Sequence, residues 1–265
     1  MMLLFDAGNT RIKWMLAAPG APLGSALASG AVVHADAARL AHDISDALIA
    51  LAPTEPALNM IVAANVAGAG ARAAIETAVA AIGAHAVPIA WFASLPQLAG
   101  VTNGYRNPGQ LGCDRFAAAI GAHALAPARA LIVANCGTAT TIDAVTADGR
   151  FLGGMILPGL GLMATSLARN TAQLPQIAQD GKLPPALAGG FADNTDDAIL
   201  SGCLAAQAGA IEHAYAQHGA AECIVSGGAA RYIAPMLALP YRLVDNIVLV
   251  GLQASARSAQ QSGIG

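Results

Sequence analysis

Apolar residues fall in short blocks separated by turns, and the spacing inside each block predicts its type. Residues 2–6 form an apolar block closing on Asp6. Residues 11–18 and 25–33 continue the pattern, with Pro19-Gly20 between them, so three consecutive strands are expected. Residues 36–51 then read as a helix with an acidic start at Asp36, stopped before Pro53. A buried strand over 58–64, a helix over 70–82 and a short strand over 87–90 follow. The stretch 91–110 holds Pro96, Gly100, Gly104, Pro108 and Gly109 and reads as a long loop, long enough to suspect function. A helix over 114–125 ends before Pro127.

The same order then restarts. Strands are expected over 130–134, 140–146 and 151–156, the last two joined by an Asp148-Gly149 turn. An irregular stretch precedes a long helix over 195–217, whose Asp196 and Asp197 favour its N-terminal dipole. A strand over 223–226, a helix over 229–237, a strand over 241–244 and a helix over 246–260 complete the pattern. Leu4-Phe-Asp-Ala-Gly-Asn-Thr-Arg-Ile-Lys13 and Val133-Ala-Asn-Cys-Gly-Thr-Ala-Thr-Thr-Ile142 align so that Asp6 meets Asn135 and Gly8 meets Gly137. The fold expected is therefore α/β with two similar lobes facing each other across a cleft, each a mixed sheet flanked by helices. The boundary is set at 1–113 and 114–265.

Composition narrows the function classes. Charged residues make up only 11% of the chain and hydrophobic residues 55%, which fits a large buried core and excludes a disordered chain. A net charge of −3 supplies no basic field for nucleic acid or an anionic membrane. The uncharged run from Phe151 to Ala168 is long enough to raise the question of a membrane span, but Gly153, Gly154, Pro158, Gly159 and Gly161 would break such a helix. The N-terminus meets Asp6 at once and has no basic lead-in, so no secretory signal is read and a cytoplasmic location is expected. Cys113, Cys136, Cys203 and Cys223 form no CxxC and read as reduced thiols.

Several nucleotide and hydrolase signatures do not fit. GxxxxGK[ST] and GxSxG are missing, and the six histidines make no HExxH. Gly159-Leu-Gly-Leu-Met-Ala164 matches G-x-G-x-x-A with Asp180 beyond it. Gly68 to Ala73 matches equally well, and Pro158 is expected to spoil the strand-to-helix passage the motif needs.

The two aligned glycine turns carry more chemistry. A hairpin with glycine at its tip presents backbone N–H groups without side-chain obstruction. Thr10, Thr138, Thr140 and Thr141 add hydroxyls, and Lys13 adds a positive charge. Two such turns opposed across a cleft would clamp a polyphosphate, with Asp6 a natural ligand for Mg²⁺. Ser226-Gly227-Gly228 is a third small-residue site, suited to a flat base or ribose. Asp114-Arg115 opens the helix between the repeats, where the dipole favours the carboxylate's negative charge and Arg115 is at hand for an anionic group.

Five segments taken together extend the picture: Asp6-Ala-Gly-Asn-Thr10, Gly112-Cys-Asp-Arg115, Gly137-Thr-Ala-Thr-Thr-Ile-Asp143, Gly153-Gly-Met-Ile-Leu-Pro-Gly159 and Ser226-Gly-Gly228. In this order they resemble the type III pantothenate kinases, over residues 2 to about 253. The resemblance implies the duplicated actin-like (ribonuclease H-like) fold of acetate and sugar kinases, and a homodimer with pantothenate near the subunit interface. It implies ATP-dependent phosphorylation of pantothenate to 4'-phosphopantothenate, the first step of coenzyme A biosynthesis. By the same resemblance Asp6, Ala7, Gly8, Asn9, Thr10, Arg11, Ile12 and Lys13 line the ATP phosphates, with Asp6 near Mg²⁺ and Thr138 meeting the nucleotide from the second lobe. Tyr105, Gly112, Cys113, Asp114, Arg115 and Thr195 contact pantothenate, and Asp114 is the general base. Where this family has an aspartate that helps hold K⁺ or NH₄⁺, the chain has Asn135, so a weakened or altered cation site is expected. Two alternatives stay open at this stage. One is a kinase of the same fold with another small substrate. The other is a nucleotide-binding regulatory or accessory protein, given the family's relation to Bvg accessory factor proteins.

Overall fold

The computed structural model describes residues 1–52, 54–177 and 190–261. By contacts the chain divides into Met1–Ala126 together with the segment from Asn246 onward, and Pro127–Asp245.

In the first unit, β1 (Met2–Ala7), β2 (Arg11–Ala17) and β3 (Ala28–Val33) form an antiparallel meander, followed by α1 (Arg39–Leu51), β4 (Met60–Asn65), α2 (Ala69–Ala81) and β5 (Ile89–Trp91). The strand order is β3-β2-β1-β4-β5, with β4 and β5 parallel to β1. Alternation assigns the two faces of β1. Leu3, Phe5 and Ala7 join a core with Leu40, Ile44 and Ile75 of α1 and α2. Leu4 and Asp6 lie on the opposite face.

The second unit repeats this plan. It contains β8 (Leu131–Cys136), β9 (Ala139–Val145), β10 (Arg150–Pro158), α4 (Leu160–Asn170), α5 (Thr195–His218), β11 (Glu222–Ser226), α6 (Ala230–Ile233) and β12 (Tyr241–Leu243). Its strands run β12-β11-β8-β9-β10 with matching directions. Ile132, Ala134 and Cys136 face the core with α4 and α5, which leaves Asn135 on the other face, as Asp6 is in β1. Both sheets are mixed and flanked by helices, as the duplicated pattern predicts. The hairpins differ by one residue: Asp6 pairs with Lys13, but Asn135 pairs with Thr141. The ungapped sequence alignment therefore holds up to the turn and slips by one after it.

Between the repeats stand the small hairpin β6 (Gln97–Leu98) and β7 (Val101–Asn103) and the helix α3 (Cys113–Leu125), and the last helix is α7 (Ile247–Gln261). Helices α3 and α7 pack together in the first unit against the sheet face that carries Leu4 and Asp6. They cross at glycine. A Cβ on Gly251 would lie 1.7 Å from the Ala117 carbonyl oxygen, and one on Gly121 would lie 2.8 Å from the Gly251 nitrogen. The sequence boundary at 113/114 assigned both helices to the second lobe, whereas by contacts they group with the first unit.

Several local expectations are corrected. The stretch 91–110 is not wholly loop, because β6 and β7 form a hairpin whose turn holds Ala99 and Gly100 at positive φ. Helix α1 starts at Arg39 with Ala38 as its N-cap, so Asp36 belongs to a 3-10 turn and does not cap it. The uncharged run after Arg150 divides into β10 and α4 at Gly159. No helix among the described residues is long and apolar enough to cross a membrane. The helix expected over 229–237 is α6 plus a 3-10 turn at Ala234–Met236, where Pro235 supplies no N–H. Pro158 does not prevent strand-to-helix passage: Gly159 is itself the N-cap of α4. Its Cβ would lie 2.2 Å from the Gly137 carbonyl oxygen, so glycine is required there by packing on the second glycine turn. Asp180 lies outside the described residues.

Candidate active site

In the first unit the β1–β2 turn, the end of β4, the loop before α3 and the first turn of α3 converge. Gly8 N–H donates to the Arg11 carbonyl (3.1 Å) and closes the turn at the tip of the hairpin. Ala7 and Ile12 are buried at its base, while Asn9, Thr10 and Arg11 are exposed. Asp6 is 6% exposed and pairs across the hairpin with Lys13, whose Nζ lies 3.6 Å from its Oδ2.

Burial pushes the Asp6 carboxyl up from its ordinary range. Lys13 opposes that shift, and the negative charge of Asp114 adds to it. A raised folded value means the native state holds this proton after the unfolded chain has released it. The stability contribution of Asp6 therefore falls as pH climbs from the ordinary 3.8 through the raised value, and stays adverse above it.

Asp114 lies in the first turn of α3. Its Oδ1 accepts the Arg115 N–H at 2.9 Å and folds back over Gly112, where a Cβ would come within 2.7 Å of it. Glycine at position 112 is thus what lets the carboxylate take this position. Arg115 is buried despite its charge. Its Nη1 donates to the Tyr105 hydroxyl at 2.8 Å, and its guanidinium carbon sits 5.7 Å from the Tyr105 ring centre. The Cys113 thiol donates to the Asn65 carbonyl at 3.7 Å, and burial raises its pKa, which favours the thiol over the thiolate.

Sequence reasoning passed over three residues here. Asn103 is buried at the end of β7, accepts the Tyr105 N–H at 3.1 Å and donates to the Pro108 carbonyl at 3.1 Å, and so shapes the loop that presents Tyr105. Asn65 makes an Asx turn with Ala67 N–H (2.9 Å) and donates to the Gly68 carbonyl (2.9 Å). His34 Nε2 lies 2.8 Å from the Gly8 carbonyl oxygen. Single polar residues at strand ends were the only signal for any of them.

The second unit holds Asn135, Thr138 and Thr195. Thr138 is exposed on the turn closed by Gly137 N–H to the Ala139 carbonyl (3.0 Å). Asn135 is partly buried, and the residue opposite it is neutral Thr141, where Asp6 has Lys13. Gly227, at φ +95, lies against the same turn: its Cβ would be 2.4 Å from the Cys136 carbonyl oxygen. Thr195 opens α5 behind the N-cap Asn194, whose Oδ1 accepts the Asp197 N–H at 3.0 Å. It lines an open cavity of about 530 Å³ with Leu174, Ala192 and Ile199.

The Asp6 carboxylate, desolvated and beside a single lysine, is the kind of hard oxygen donor that Mg²⁺ takes one or two of. Among the described residues no group of three or more His, Cys, Asp or Glu side chains gathers for a metal. The arrangement supplies a glycine turn with Asn9, Thr10 and Arg11 exposed, a lysine cation, one buried carboxylate and a second carboxylate on a helix N-terminus.

Comparison with known proteins identifies the family. The type III pantothenate kinase profile matches residues 2–217. A protein named type III pantothenate kinase from Herminiimonas arsenicoxydans is 53% identical over 268 residues, covering 97% of each chain. One of the same name from Aromatoleum aromaticum is 45% identical over 261 residues, covering 97% of this chain and 98% of its own. Two solved structures share the fold at low identity. A Campylobacter jejuni protein described as a Baf family transcriptional activator has a TM-score of 0.57 at 16% identity, covering 98% of both chains. A Sinorhizobium meliloti protein described as a 2-dehydro-3-deoxygalactonokinase has a TM-score of 0.56 at 18%, covering 97% of this chain and 98% of its own. With the profile spanning most of the sequence and half its residues shared over nearly full length with proteins of that name, this chain belongs to the type III pantothenate kinase family.

Proposed function

We propose that this protein transfers the γ-phosphoryl group of ATP to the primary hydroxyl of pantothenate, giving ADP and 4'-phosphopantothenate, the first step of coenzyme A biosynthesis. The observation that carries the reading is the buried Asp6 paired with Lys13 on the glycine turn, with the negative charge of Asp114 acting on it. In this reading residues 6–13 hold the phosphates and Thr138 contributes from the second unit. Tyr105, Gly112 to Arg115 and Thr195 receive pantothenate.

The hydroxyl oxygen attacks the γ-phosphorus, the bond to the bridging oxygen of the β-phosphate breaks, and the hydroxyl proton passes to Asp114. Arg115, fixed on the Tyr105 ring and hydroxyl, keeps the substrate side of the helix start in one position. Lys13 and the turn N–H groups oppose the charge that spreads over the transferred group. Mg²⁺ bound through Asp6 would neutralise phosphate charge. The protein acts as a cytoplasmic homodimer in this proposal.

ADP release by the purified protein with ATP and Mg²⁺, with and without pantothenate, tests the reading. Release that depends on pantothenate is expected; release indifferent to it overturns the proposal.

Asp6→Asn separates binding from folding. In nucleotide-free melts at neutral pH the variant is expected to be at least as stable as the wild type, because a desolvated charge has been removed. Its activity should require higher Mg²⁺ to saturate. A lowered melting temperature with unchanged Mg²⁺ dependence would assign Asp6 a purely structural task.

Asn135 leads to a further expectation. With a neutral side chain there and Thr141 opposite, K⁺ or NH₄⁺ meets oxygen ligands but no carboxylate from this position. Activity titrated with KCl at constant ionic strength should rise shallowly or not at all, and tight, saturable activation contradicts the weakened site.

A further inference from the structure

The carbonyl oxygen of Gly8 lies where a phosphate-binding turn is most sensitive. A carbonyl turned toward the bound anion repels it, and the peptide plane ties that carbonyl to the next residue's N–H, which points the opposite way. In this protein the Gly8 carbonyl is already engaged. Strand β3 pairs with β2 up to Val33 opposite Arg11, so the chain leaves the sheet level with the turn. The next residue is His34, half-buried, with its Nε2 2.8 Å from the Gly8 oxygen. A carbonyl only accepts, so Nε2 carries the hydrogen. Gly8 N–H is bonded to the Arg11 carbonyl, and both backbone polar groups of the tip glycine are thus fixed from within the unit.

We infer that His34 is a positioning residue for nucleotide phosphates: by drawing the Gly8 carbonyl aside it turns the Asn9 N–H toward the phosphate chain. The inference rests on residues 6–13 being the phosphate-binding turn. His34 touches neither phosphate nor the reacting atoms in this scheme; it acts through one peptide plane.

The test compares wild type, His34→Ala and His34→Gln. The Gln amide is able to donate to the same carbonyl, as the imidazole does. Binding of a non-hydrolysable ATP analogue and of adenosine is measured by isothermal titration, and KM for ATP and kcat are measured in parallel. Loss of one neutral hydrogen bond that orients a donor should weaken the analogue and raise KM for ATP about three- to tenfold, with kcat within about twofold. Adenosine affinity should not change, and His34→Gln should recover most of the loss. The inference is overturned by unchanged analogue affinity in His34→Ala, by an equal loss for adenosine, or by a folded His34→Gln no better than the alanine variant. A wild-type protein that does not bind the analogue removes the phosphate-turn reading, and the inference falls with it. Wild-type binding without turnover of pantothenate removes only the substrate assignment, and the affinity comparison still decides the role of His34.

Discussion

Asp114→Asn is expected to lower the rate of pantothenate phosphorylation by about 10²–10⁴-fold, the range general-base assistance supplies. The amide oxygen still accepts the Arg115 N–H that Asp114 Oδ1 accepts at 2.9 Å, so the start of α3 keeps its shape. What is lost, on the proposed mechanism, is the site that takes the hydroxyl proton. The stability cost should be small, about 0.3–1 kcal/mol for removing a negative charge from a helix N-terminus. Turnover at saturating substrates together with a thermal melt separates the two effects. A folded variant with turnover within a few-fold of wild type removes Asp114 from the role of base. KM for ATP should hold nearly steady, because the substitution touches neither the β1–β2 turn nor Lys13.

The largest stability effect is expected at the α3–α7 crossing. Alanine normally gains about 0.8–1 kcal/mol over glycine inside a helix. At Gly251 that gain is outweighed, because the new methyl would lie 1.7 Å from the Ala117 carbonyl oxygen, a backbone atom that no side-chain rotation can move. The helices must separate, and overpacking of this kind costs about 3 kcal/mol or more. At ~2–4 °C per kcal/mol, Gly251→Ala should melt roughly 6–12 °C below wild type. Gly209→Ala in α5 is the matched control. Nothing lies within 4 Å of its added Cβ, so it should melt at or above the wild-type temperature. Equal melting temperatures for the two variants would refute the close crossing.

The duplicated plan was legible because three signals agreed in each half: a meander of three strands, a glycine turn after the first, and alternating helices and strands thereafter. Asp6 and Asn135 do occupy equivalent strand positions on the faces turned away from the α1/α2 and α4/α5 cores. What pattern could not show is how the turn closes. One residue fewer in the second hairpin replaces Lys13 with Thr141 as the cross-strand partner, and an ungapped comparison of short segments carries no information on that. Helix α4 was hidden because Gly159 and Gly161 are poor helix residues, yet Gly159 sits at the cap and its absent Cβ is what lets the helix begin against the second turn. The acidic start assigned to α1 failed for a related reason: Asp36 sits in a 3-10 turn that precedes the helix. Residues that act through backbone contacts at long range, such as His34 on Gly8 or Asn65 on Cys113, leave no periodic trace.

The first unit is assembled from two separated stretches of the chain, since α7 joins it only after residues 127–245 have been made. During synthesis the stretch bearing β8 to β12 is therefore complete while one face of the first sheet has α3 but still lacks α7, the second helix that covers it. Maturation of the half that carries Asp6 and Asp114 waits until residues 246–261 have been made, after the whole of the second unit.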